Sequence, residues 1–141
     1  MDSHELEQCI YLEEILSFAD FELQVMKLIS MQMQNLDIFE SYKKGRVSSR
    51  EINLCGYYCN LETLIITPYS GVIGNVDLYL KEKCVGGSLL FFESGILKFI
   101  EAYFWEENDF FLHFKDNKIM KSPHKNFIKS DNPLPSIRET K

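Results

Sequence analysis

Cys55-Gly-Tyr-Tyr-Cys59, with Cys84 and His113 further along, supplies four atoms of the kind that hold zinc. The second half of that set has no paired ligand motif, so the cysteines read better as small buried hydrophobes. Nucleophilic catalysis requires a Cys or Ser beside a His that a third group orients. His4 stands near the N-terminus, His124 lies in a proline-containing tail, and His113 alternates with Leu112 and Phe114, as a packed or solvent-facing strand residue would. Gly71-Val-Ile-Gly74 and Gly86-Gly87 match neither a phosphate loop nor a dinucleotide fingerprint. The expectation is therefore a protein with no catalytic residue, no metal and no cofactor, and not an enzyme.

The remaining chemistry is carboxylate. Glu101, Glu106, Glu107 and Asp109 fall close together, beside Tyr103 and the one Trp, Trp105. Glycosidic chemistry needs two carboxylates on opposite sides of a cleft, whereas a local cluster reads as a solvated acidic turn. Its functional rival is a protein-binding edge, because an aromatic anchor inside a charged rim is what an interface uses. Glu101, Tyr103, Trp105, Glu106, Glu107 and Asp109 are the candidate partner-binding residues.

Charge narrows the partner. The 21 acidic and 15 basic residues give a net charge of −6. From Lys121 onward five basic residues face Asp131 and Glu139, a local +3 that leaves −9 on the preceding part. Such a body repels nucleic acid and suits a basic protein. The N-terminus lacks the basic and apolar regions of a signal peptide, and no apolar run approaches a membrane span. A cytoplasmic location with reduced thiols is expected.

The elements that must position these residues follow from period and punctuation. Ser3 to Ala19 predicts an N-terminal helix with Ser3 as cap, and Asp20 a break. Phe21 to Gln34 fits either period; the alternation of Phe21, Leu23 and Val25 favours a strand over a helix. Ser41 to Glu51 reads as an exposed basic loop. Ile52–Tyr58 and Leu61–Thr67 read as strands, the second closed by Pro68, and Val76, Leu78 and Leu80 form an amphipathic strand. Lys81–Lys83 and Val85–Gly87 bracket a turn, after which Leu89–Phe92 and residues 96–105 are strands, with helix the alternative for the latter. Phe110, Leu112 and Phe114 read as a last strand ending at Asp116-Asn117-Lys118. Strands joined by such short turns must pair antiparallel. The fold class is α+β: an N-terminal helix with a mainly antiparallel β-sheet, one globular domain over 1–121 and a mobile or loosely docked tail over 122–141.

The strand, turn, Gly95-Ile96-Leu97, strand, Trp105 pattern of residues 88–105, in a small acidic domain without a catalytic motif, resembles the immunity proteins of bacterial toxin systems, including contact-dependent growth inhibition. The resemblance implies a protein that binds a cognate toxin domain, such as a basic nuclease, and blocks its active site. A small-molecule-binding or enzymatic β-rich domain, or a homo-oligomeric structural subunit, are the competing classes.

Overall fold

The computed structural model describes residues 8–114 and the backbone of 120–121. Seven described strands form one sheet in the order β1-β4-β5-β6-β3-β2-β7, with β1 spanning Cys9–Tyr11, β2 Arg46–Asn53, β3 Gly56–Glu62, β4 Gly71–Leu80, β5 Lys83–Glu93, β6 Ile96–Phe104 and β7 Met120–Lys121. The interior pairings are antiparallel, and only the short edge strands β1 and β7 run parallel to their neighbours. Two helices, α1 (Phe18–Met33) and α2 (Leu36–Lys44), complete an α+β architecture.

The first helix begins later than its sequence suggests. Residues 1–7, with Ser3 and His4, lie outside the described residues. Cys9–Tyr11 is strand, paired along β4, and Leu12–Glu14 forms a 3-10 turn. Ser17 is the true cap: its Oγ accepts from the Asp20 N–H at 3.0 Å, and Asp20 Oδ2 accepts from the Leu16 N–H at 2.9 Å. Asp20 therefore starts a helix through reciprocal capping, where a break was expected. Phe18, Phe21, Glu22, Val25, Met26 and Ile29 then fall on one buried stripe. That stripe overrides the three-residue alternation that favoured a strand over 21–34, because strand alternation explains only its first turn.

Other boundaries move for similar reasons. The polar run Ser41–Glu51 is not a loop: its start closes α2 and its remainder is β2. Ile52–Tyr58 is two strands, split at the Leu54–Cys55 turn. Leu61–Thr67 is strand only to Glu62; beyond it, Thr63 and Thr67 donate their hydroxyls to the carbonyls of Leu97 and Gly95 instead of joining a ladder. Val85–Gly87 belongs to β5. Residues 96–104 form β6, the expected strand, and the Ser94–Gly95 hairpin uses positive φ at both positions (50° and 86°), as a tight two-residue turn requires. Phe110–His113 is a 3-10 turn, not a strand: Phe111 is its buried residue, stacked 4.6 Å from Tyr57 and close to Phe18 and Phe21. The turn at 116–118 and the tail 122–141, with His124, lie outside the described residues.

Candidate functional site

Side chains alternate across a sheet, so the cross-strand register sorts them into two faces. One face carries Ile52, Tyr57, Cys59, Leu78, Leu90, Phe92, Leu97, Ile100 and Ala102 into the core shared with α1 and α2. The opposite face holds one row of Glu51, Tyr58, Glu101 and Leu89, a second of Asn60, Phe99, Phe91 and Val72, and a third of Gly56, Tyr103, Gly87 and Asp77. At the far end of this face Arg46 lies opposite Glu62 and pairs with it at 2.7 Å. Phe91 stacks on Phe99 at 5.0 Å, and Tyr58 lies 5.0 Å from the same ring. Gly87 is needed here: a Cβ on it would sit 2.4 Å from the Tyr103 hydroxyl, so the missing side chain lets that ring lie across β5. Burial, together with the charges of Asp77 and Glu101, pushes the Tyr103 phenol above its ordinary value. Tyr103 is thus a neutral hydroxyl set between carboxylates, with its oxygen 3.3 Å from Asn75 Oδ1.

Beyond β6 the chain continues along the same end of the sheet. The N–H of Trp105 donates to the Val85 carbonyl at 3.0 Å, and those of Phe104 and Asn108 donate to Cys55 and Leu54 at 2.8 Å. The loop is therefore pinned between the β2–β3 turn and the start of β5. Its backbone is fixed while its side chains project: Trp105 is 63% exposed, and Glu106, Glu107 and Asp109 are exposed. Trp105 to Asn108 and Lys83 to Val85 enclose a notch of about 110 Å³, well below the size of a small-molecule site. Asp109 turns to His113, 3.1 Å away.

No family model, curated protein or solved structure matches this chain.

Of the six residues singled out from sequence, Glu101, Tyr103 and Trp105 are brought to one side and one end of the sheet. Glu106, Glu107 and Asp109 extend it as a rim. Glu101 is more buried than a surface carboxylate, because Tyr58 and Leu89 flank it in register. The zinc-type set does not converge: Cys59 faces the core, Cys55 sits in a turn and His113 pairs with Asp109, and no three His, Cys, Asp or Glu form a metal-holding group among the described residues.

Sequence reading missed a second constellation altogether. Glu22 is fully buried under the sheet and accepts four hydrogen bonds. Arg50 supplies two (Nε 2.7 Å, Nη2 2.8 Å), Tyr57 one at 2.6 Å and Tyr42 one at 2.7 Å. Burial lowers the affinity of the Arg50 guanidinium for its proton, but the hydrogen bonds and charge of Glu22 more than reverse this, so it is held above its ordinary value. Burial, then Glu22, pushes the Cys59 thiol well up. Every oxygen of the carboxylate is occupied and water is excluded, so the cluster is built to hold charge and not to move protons. The readable signal was Glu22 at helical spacing among Phe18, Val25, Met26 and Ile29, a carboxylate inside an apolar stripe.

Proposed function

We propose that this protein is an immunity-type inhibitor, which binds a basic toxin domain such as a nuclease and occludes its active site. The observation that carries the proposal is the sheet face turned away from the helices. It sets the half-exposed Phe91, Phe99 and Tyr103 beside Glu51 and Asp77, over the buried Tyr58 and Glu101, and ends in the projecting Trp105. Aromatic rings give an interface its binding energy, and carboxylates aimed at a phosphate-binding surface match its charge. A pinned loop presenting Trp105 adds preorganisation, which lowers the entropic cost of docking. A cytoplasmic location fits this role, and among the described residues no helix is long and apolar enough to cross a membrane.

The test is a growth assay in a susceptible host. If a large secreted polypeptide is encoded beside this chain, as the reading requires, its C-terminal domain is produced with the wild-type chain, with Trp105→Ala, or with Glu106→Lys/Glu107→Lys. Wild type should restore growth, and Trp105→Ala should lose protection while melting as wild type does. Lack of such a neighbour, no protection by the wild type, or full protection by both variants would sink the reading.

A further inference from the structure

The helix layer presents a second exposed apolar surface, and its charges are organised differently from those of the sheet. In α2, Ile38 and Ser41 face the core and Tyr42 reaches Glu22, which directs Leu36, Glu40 and Lys43 away from it, while Phe39 is half-buried against the edge of the core. Leu36 is 77% exposed, and Met31 on the neighbouring α1 is 63% exposed. Leu23, Lys27, Met31, Leu36, Phe39 and Lys43 line two adjoining hollows between the helices, of about 650 and 640 Å³, which share Lys27, Met31 and Phe39. Contiguous apolar surface rimmed by charge marks an interaction site.

The charges say what covers it. Setting aside buried Glu22, α1 and α2 carry Asp20, Asp37 and Glu40 against Lys27, Lys43 and Lys44, equal in number, on a chain whose net charge is −6. In α2 the acids come first and the lysines last. Turned antiparallel about an axis between residues 41 and 42, a second α2 sets Glu40 opposite Lys43 on both sides of that axis. A partner of one sign would satisfy only half of this pattern, whereas self-complementarity is what a two-fold interface requires. The acidic sheet face would repel a second copy, and the neutral helix layer would not.

We infer that this groove is covered by a second copy of the chain, in a two-fold dimer in which α2 packs antiparallel against α2. Leu36 enters the hollows of the second copy, whose Phe39 forms part of their lining, and Glu40 lies opposite its Lys43. The two aromatic-acidic sheet faces then point outward, and each stays free to bind.

Light scattering and sedimentation of the full chain test the inference. The wild type should show twice the 16.5 kDa chain mass when concentrated and dissociate on dilution. Met31→Glu/Leu36→Glu should stay at the single-chain mass with an unchanged circular dichroism spectrum, since both positions are exposed. Glu40→Lys and Lys43→Glu should each weaken self-association about tenfold or more by setting like charges opposite each other. Mixing these two single variants should restore the dimer, because each then supplies the charge the other lacks. Mixing cannot repair a contact within one helix, such as Glu40 with Lys44 at 3.7 Å. A wild type that stays monomeric when concentrated, a dimer that survives Met31→Glu/Leu36→Glu, or no recovery on mixing would overturn it.

Discussion

Glu22 shows what one buried carboxylate demands of its neighbours. Its four donors come from α2, β2 and β3, so the charge ties α1 to three other elements. Breaking one side of a buried pair leaves an uncompensated charge, which costs about 3–5 kcal/mol. Arg50→Met should therefore lower the unfolding free energy by about that amount in urea titrations. Glu22→Leu/Arg50→Met should cost clearly less than the two single changes added together. Purely additive losses would mean that the pair is not coupled. The same burial predicts an alkaline limit. Burial, reinforced by Glu22, raises the Tyr57, Tyr42 and Cys59 groups above their ordinary values, so at high pH the folded chain holds protons that the unfolded chain has lost. Their stabilising contribution is whole below the unfolded thiol value of about 8.5, and declines as pH rises past it and past the unfolded phenol value of about 10. Urea midpoints should fall over that range, and Cys59→Ala/Tyr57→Phe should flatten the fall.

Among the elements, the hairpins and helices were legible to different degrees. The β4–β5–β6 meander was largely readable, because Val76, Leu78 and Leu80 alternate cleanly and Ser94–Gly95 marks a turn. The helix pair was not: the apolar residues of 21–34 satisfy two periods, and only packing beneath a sheet decides between them. Phe110, Leu112 and Phe114 alternate as a strand would, yet Phe111 is drawn into the cluster of Phe18, Phe21 and Tyr57, and the backbone tightens to deliver it. The candidate site was half legible. Trp105 and its acids are adjacent in sequence, but Glu51, Tyr58, Asp77 and Phe91 join them only through register. One turn carries an avoidable strain. Lys81 and Glu82 both adopt positive φ (54° and 68°), which a Cβ disfavours, in the tight β4–β5 hairpin. Lys81→Asn/Glu82→Gly should raise stability by roughly 1 kcal/mol, measured by thermal or urea unfolding. The backbone N–H of Lys81 donates to Glu13 Oε2 at 2.5 Å and both substitutions keep it, so a loss would show that the turn carries no relievable strain.

On the scale of the whole molecule, charge is divided by face. The sheet side and its Trp105 rim are acidic, while the exposed charges of the helix side balance. This division separates two contributions to binding a basic partner. Long-range attraction governs the rate of encounter and is screened by salt over about 8–10 Å. Desolvated contact governs how long the complex lasts. Glu106 and Glu107 are exposed and lie on the rim, so Glu106→Lys/Glu107→Lys should slow association and flatten its dependence on ionic strength, with a smaller effect on dissociation. Trp105 is exposed in the free protein, and its removal leaves the core intact. Trp105→Ala should speed dissociation and cost about 2 kcal/mol or more in binding, with the melting temperature unchanged. Stopped-flow association at several salt concentrations, beside thermal unfolding of both variants, separates the two effects. If Trp105→Ala slows association and leaves dissociation untouched, the ring guides encounter without anchoring the complex. The binding energy must then come from the half-exposed Phe91 and Phe99 rings of the sheet face.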